Sequence, residues 1–252
     1  MRSFIGWIGG KSQLKKHIIP LIPSECTRYI EVCGGAGWIL FGKEQIKGQM
    51  EVFNDIDGDL INLYRQIKYH CPELQNEMDW LQSRELFTSF RNNFNANAPM
   101  TDLQRAARYL YLIRCSFGCN RYSFSTRPSK PFNLIDSLPL YQERLRDVII
   151  ENRDCEDLIN TYDRFDAIFY VDPPYVGSEQ YYNRKYSSFG EADHIRLNER
   201  LKRIKGKFIL SYNDCELVRE LYHDFNMIGV DRNNSLPTKP LPKYKELIIT
   251  NY

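Results

Sequence analysis

The 252-residue chain has no apolar run approaching the roughly 20 residues that a membrane-spanning helix needs, and it begins Met-Arg-Ser-Phe-Ile-Gly-Trp, without a signal-peptide core. Its seven cysteines are odd in number and include no C-x-x-C pair, which excludes a disulfide-stapled scaffold and points to a reduced, cytoplasmic protein. Histidine is scarce. The four present, His17, His70, His194 and His223, have no Cys or His partner at metal-ligand spacing, so no metal is expected. No internal repeat and no low-complexity tract occurs. Hydrophobic residues make up 42% and charged residues 26%, ordinary values for one or two globular domains.

Net charge is only +2, yet residues 105–131 contain no Asp or Glu at all. They carry Arg105, Arg108, Arg114, Arg121, Arg127 and Lys130, interleaved with Tyr109, Tyr111, Phe117, Tyr122 and Phe124. Cations neutralise phosphates and aromatic rings stack on bases, so this stretch is a candidate nucleic-acid surface; the competing reading is a basic solvated face over a core helix.

Short apolar runs at 29–33, 51–54, 148–151, 167–171, 208–211, 227–230 and 247–250 read as strands. Amphipathic stretches at 9–22, 36–47, 191–205 and 214–225 lie between them, giving an α/β fold with a largely parallel sheet. The run from Ala167 is apolar at every position, as in a central buried strand. Residues 58–145 are helical in pattern, which implies a helical subdomain inserted between 1–57 and 146–252. Its clearest helix starts at Thr101, with Gln104 completing a capping box, and ends near Gly118.

Four segments are candidates for carrying chemistry. Glu31-Val-Cys-Gly-Gly-Ala-Gly37 follows a strand and opens a helix, where glycine lets a ligand approach the backbone, although Leu40 stands where G-x-G-x-x-G would have its third glycine. Asp55 ends the next strand, where its carboxylate could accept both hydroxyls of a ribose; a plain tight turn with Asp55 or Asp57 as helix cap is the alternative. Trp7-Ile-Gly-Gly-Lys-Ser12 lacks the spacing of a P-loop. Asp172-Pro-Pro-Tyr175 closes the buried strand: two prolines remove backbone donors, so the Asp172 carboxylate and Pro173 carbonyl present acceptors suited to a planar amino group, beside the Tyr175 ring.

Together these segments resemble the Dam-like adenine-specific DNA methyltransferases. The resemblance runs over nearly the whole chain, in the family's order: W-x-G-G-K at Trp7–Lys11, E-x-x-x-G-x-G at Glu31–Gly37, an acid at Asp55, D-[FC]-x-D at Asp154–Asp157 and D-P-P-Y at Asp172–Tyr175. It implies a Rossmann-like S-adenosylmethionine-dependent methyltransferase sheet with an inserted target-recognition domain, and methyl transfer to the amino nitrogen of an adenine flipped out of double-stranded DNA. Asp172, Pro173, Pro174 and Tyr175 would form the catalytic corner. S-adenosylmethionine would contact Trp7, Lys11, Glu31, Gly35, Gly37, Asp55, Asp154, Cys155 and Asp172. DNA would contact Arg105, Arg108, Arg114, Phe117, Arg121, Tyr122 and Lys130, with Arg121 reading a guanine. A bacterial or phage-encoded monomer or weak dimer is expected. Members that read GATC tend to carry Asn-Gly after an aromatic, whereas Phe117 is followed by Gly118 and Cys119, so the resemblance does not imply that target. A DNA-binding module of the same fold without turnover, and a methyltransferase of another amine or amide, are the alternatives.

Overall fold

The computed structural model describes residues 1–78, 81–127, 132–182, 189–232 and 244–252. Its strands are β1 (Arg28–Glu31), β2 (Met50–Asn54), β3 (Ile149–Glu151), β4 (Ala167–Val171), β5 (Lys207–Asn213), β6 (Asn226–Arg232) and β7 (Tyr244–Thr250). The helices are α1 (Lys15–Ile18), α2 (Trp38–Gly42), α3 (Gly58–Tyr69), α4 (Cys71–Glu77), α5 (Arg84–Asn95), α6 (Asp102–Cys115), α7 (Phe132–Ile135), α8 (Leu138–Leu145), α9 (Cys155–Tyr162), α10 (Glu191–Leu201) and α11 (Glu216–Leu221). All seven strands fall where the apolar runs put them, and they form one sheet in the order β3-β2-β1-β4-β5-β7-β6. Its first five strands are parallel, while β7 runs antiparallel between β5 and β6. This is the mixed, mostly parallel Rossmann-like sheet that the sequence implied.

Strand β1 lies between β2 and β4, with Glu31 level with Phe53 on one side and Tyr170 on the other. The chain leaves β1 towards one half of the sheet and β4 towards the other, so a crevice opens where the strand order reverses. That topology brings the glycine turn after β1 and the Asp-Pro-Pro-Tyr corner after β4 to the same place. Strand β4 is buried at every position.

Side chains alternate across the sheet. Tyr29, Phe53, Tyr170 and Ile209 face a core shared with Leu63, Tyr64, Leu110, Ile113 and Leu145, so the helices of the 58–145 stretch cover that face. Ile30, Val52, Phe169 and Leu210 face the opposite core, under Leu158, Leu197, Val218 and Tyr222. A separate small cluster, Phe87, Phe90, Tyr111, Leu112 and Cys115, joins α5 to α6 away from the sheet. The capping box forms, with Gln104 N–H donating to Thr101 Oγ1 at 3.2 Å and Thr101 N–H to Gln104 Oε1 at 3.3 Å.

Two helices are much shorter than their amphipathic patterns. In the 9–22 stretch only Lys15–Ile18 is α-helical, followed by a 3-10 turn at Ile19–Leu21. Gly9 adopts φ +74°, incompatible with a helix, and the backbone from Trp7 to Lys11 instead forms a loop. Helix α2 stops at Gly42 because Lys43 turns extended, and its ammonium reaches Glu51 at 2.5 Å. Arg144 from α8 meets the same carboxylate through Nη1 at 2.6 Å and caps α2 by donating to the Leu40 carbonyl at 2.7 Å. This buried knot fixes α2, and with it the glycine turn, against β2 and α8. No helix among the described residues is long and apolar enough to cross a membrane.

Candidate active site

One cavity opens at the carboxyl ends of β1, β2 and β4. Its walls are the Trp7–Lys11 loop, the turn at 32–36, residues 54–57 and 153–155, Asp172, Pro174, Tyr182 and Phe189, with Arg121 and Cys119 reaching in from the segment after α6. The glycines are needed for distinct reasons. Gly35 sits at φ +50°, and a Cβ there would come within 2.8 Å of the Trp7 ring. Gly34 is pressed against the Phe53 ring, where a Cβ would lie 2.2 Å away. Gly37 is the left-handed N-cap of α2 and packs on Phe41 and Tyr64; it lies behind the cavity, so its task is the turn.

The Asp172 carboxylate stands at the cavity wall, 18% exposed. Lys11 Nζ reaches its Oδ1 at 2.7 Å, and Ser211 Oγ donates to that same oxygen at 2.9 Å. The Lys11 ammonium is itself buried; it also donates to the Gly9 carbonyl at 2.7 Å and rests 4.6 Å above the centre of the Tyr175 ring. Burial pushes the Asp172 carboxyl above its ordinary range, and the Lys11 charge and hydrogen bonds oppose that push. Tyr175 donates its hydroxyl to Glu246 Oε2 on β7 at 2.7 Å, an anchor that fixes the ring under Lys11. Pro173 is buried, and Pro174 is the proline that faces the cavity.

Asp55 accepts from the amides of Gly35 at 2.8 Å and Asp57 at 2.9 Å, one on each oxygen. Each oxygen keeps a lone pair, so the carboxylate shapes the glycine turn and still faces the cavity as an acceptor. Burial raises its pKa to about 6, with the Asp57 charge adding to the rise and the two amides opposing it. Glu31 lines the cavity but is only 1% exposed; its Oε2 accepts from the Tyr29 hydroxyl at 2.8 Å and the Leu40 amide at 2.7 Å. It holds α2 in place, and burial lifts its carboxyl to about 8. Asp154 caps α9 by accepting from the Glu156 amide at 2.9 Å, and Cys155, its thiol pushed up to about 12 by burial, follows it on the cavity wall.

The basic stretch divides. Tyr109 and Tyr111 are buried in the core, so for them the core-helix reading holds. Phe117 and Tyr122 stay 54% and 57% exposed. Arg105 pairs with Asp59 and lies 5.2 Å from the Phe94 ring centre, and Arg108 stacks on Phe90 at 5.3 Å. Arg114 is half-buried at the end of α6. Arg121 turns inward: Nη1 reaches Asp57 Oδ2 at 3.0 Å, and the guanidinium is flanked by Trp7 at 5.2 Å and Tyr109 at 5.1 Å. Burial disfavours its charge, but Tyr109 and Asp57 outweigh that and raise its pKa further. Lys130 lies outside the described residues.

Sequence reasoning missed Ser211 and Glu246, and gave Asp57 only as a helix cap. The available signal was a single polar residue at the edge of an apolar strand run, Phe208-Ile-Leu-Ser211 and Glu246-Leu-Ile-Ile249. Among the described residues no group of three or more His, Cys, Asp and Glu side chains is placed to hold a metal ion.

Comparison with known proteins is consistent with this geometry. The family model for D12 class N6 adenine-specific DNA methyltransferase matches residues 7–236. The chain is 30% identical over 277 aligned positions to the Type II methyltransferase M1.LlaDCHI of Lactococcus lactis subsp. cremoris, covering 100% of this chain and 96% of that one. It is 26% identical to the DNA adenine methylase of Haemophilus influenzae, over 98% of this chain and 92% of that protein. It is 27% identical to the Type II methyltransferase M.CviBI of Paramecium bursaria Chlorella virus NC1A, over 89% and 88% of the two chains.

Proposed function

This chain belongs to the D12 class N6 adenine-specific DNA methyltransferase family, and we propose that it moves a methyl group from S-adenosylmethionine to the amino nitrogen of an adenine extruded from double-stranded DNA. When bound, S-adenosylmethionine supplies an electrophilic sulfonium methyl carbon. The chain's residues suit such a cofactor: the turn at 34–35 has no Cβ to obstruct it, Asp55 keeps acceptors for hydroxyls, and Asp154 and Cys155 form the adjoining wall. Trp7 covers the glycine turn from the other side.

The observation that carries the reading is the state of Asp172. Both of its donors, Lys11 and Ser211, fall on Oδ1, which leaves Oδ2 to accept from an incoming amine. An N–H held by a carboxylate places more electron density on its nitrogen, and the prolines that follow bring no competing backbone donor. Burial raises the Asp172 carboxyl above its ordinary range, and the Lys11 ammonium, with the hydrogen bonds from Lys11 and Ser211, opposes that rise and favours the ionised form that accepts an N–H. The product's surplus proton departs after methyl transfer, so no strong base is required. Because the amino group cannot be reached inside a stacked duplex, the adenine has to be flipped out. Residues 58–145 serve as the target-recognition part, with exposed Phe117 and Tyr122 beside Arg121, and Arg105, Arg108, Arg114 and Lys130 supplying positive charge for the phosphates. The proposed setting is a bacterial or phage-encoded monomer or weak dimer acting on DNA in the cell.

Asp172→Ala tests the reading. It should abolish methyl incorporation into mixed-sequence duplex while non-specific DNA affinity stays within a few fold; turnover near wild type would refute the assigned role.

A further inference from the structure

Arg121 is held far more tightly than a surface arginine needs to be. Its backbone takes φ +65°, a left-handed conformation that costs a non-glycine residue energy and persists only where the surroundings enforce it. They do so here: the Arg121 amide donates to Ser116 Oγ at 3.0 Å, and the next two amides donate to Asn120 Oδ1 at 2.8 and 2.9 Å. At the other end of the side chain, Nη1 donates to Asp57 Oδ2 at 3.0 Å and to the Tyr109 hydroxyl. The hydrogen of that hydroxyl goes to Asp57 Oδ2 at 2.7 Å, so the three groups form a closed ring of hydrogen bonds. Asp57 cannot swing away, because its Oδ1 caps α3 by accepting from the amides of Asp59 at 3.0 Å and Leu60 at 3.2 Å.

The donor count gives this ring a meaning. A guanidinium has five N–H groups in a planar fork, and Nη1 has spent both of its own. Among the described residues no group takes Nε–H or the two hydrogens of Nη2. The edge that remains is the pair of parallel donors that matches guanine O6 and N7. We propose that Asp57 and Tyr109 are positioning residues for target discrimination: by engaging Nη1 between the Trp7 and Tyr109 rings, they fix the Nε–Nη2 edge of Arg121 to read one guanine in the target site. This rests on the reading of Arg121 as a guanine contact.

The experiment compares methylation across a duplex library randomised around the adenine for wild type, Asp57→Asn, Tyr109→Phe and Arg121→Ala. Asparagine retains the cap acceptor and the shape of Asp57 but loses its charge, and phenylalanine retains the ring of Tyr109. Arg121→Ala should flatten preference at one guanine by about 5- to 150-fold, the usual worth of a bidentate contact. Asp57→Asn and Tyr109→Phe should each flatten preference at that same base and no other, with thermal melting reported alongside. An unchanged profile for Arg121→Ala would refute the guanine reading itself. If Arg121→Ala flattens the base while both other variants discriminate as wild type, or slow all sequences alike, the positioning role is overturned and the reading stands.

Discussion

Replacing Lys11 by methionine isolates the electrostatics at the centre of this enzyme. The substitution keeps the length and apolar stem of a buried side chain and removes one charge 2.7 Å from Asp172 Oδ1. At an effective dielectric near 20, unit charges at that separation attract by roughly 6 kcal/mol, and breaking a buried pair costs about 3–5 kcal/mol in measured cases. The orphaned carboxylate escapes most of that cost by taking up a proton, which at 1.36 kcal/mol per pH unit sets a ceiling of roughly 2 to 4 pH units on the displacement of its pKa. Asp172 is 18% exposed, so cavity water relieves part of the penalty. A rise of about 1 to 2 pH units is therefore expected. The sign follows from the protonation state that the chemistry needs. Burial already holds this carboxyl above its ordinary range and Lys11 pulls it down, so loss of Lys11 lets it climb. The acid limb of kcat should move to higher pH by the same amount, with activity lost most at the acid end of the range and regained as pH rises. The assay is the rate of methyl transfer to duplex DNA between about pH 5.5 and 9.5 at saturating cofactor. A uniform loss at every pH, with the acid limb unmoved, would mean that Lys11 serves binding alone and would refute its control of Asp172.

Gly35→Ala should weaken cofactor binding at least tenfold and lower Tm by several degrees, because a side chain at φ +50° costs about 1–2 kcal/mol and the added Cβ would meet the Trp7 ring at 2.8 Å; calorimetric titration and a melt check both, and wild-type values would disprove the cradle. Glu31→Gln should flatten the dependence of stability on pH. Folding raises this carboxyl to about 8, so its contribution is complete below the unfolded value near 4.5 and is lost as pH rises through 8, whereas glutamine has no proton to lose. Melting temperatures measured from pH 5 to 9 should therefore diverge in favour of the variant at the alkaline end; parallel curves would show that Glu31 titrates normally.

The legible parts of this protein are those encoded locally. Seven apolar runs became seven strands, and the capping box at Thr101 and the turn residues around Gly35 and Asp172 formed as their chemistry dictates, because strand burial, helix caps and proline corners depend on a few adjacent residues. The 9–22 and 36–47 stretches misled for a related reason: amphipathic spacing reports which side chains are buried, and a loop packed over a crevice buries them with the same period as a helix. Relations between residues far apart in the chain were out of reach. That Asp172 has its two donors, Lys11 and Ser211, on a single oxygen comes from β4 lying beside β5 and beneath the N-terminal loop. That Arg121 turns inward comes from Asp57, 64 residues away, whose own fixed place is the cap of α3. Sequence alone determined which groups this enzyme has for its chemistry; only the packing of sheet and helices decided which of those groups meet, since a buried charge goes to whichever partner the fold brings within reach.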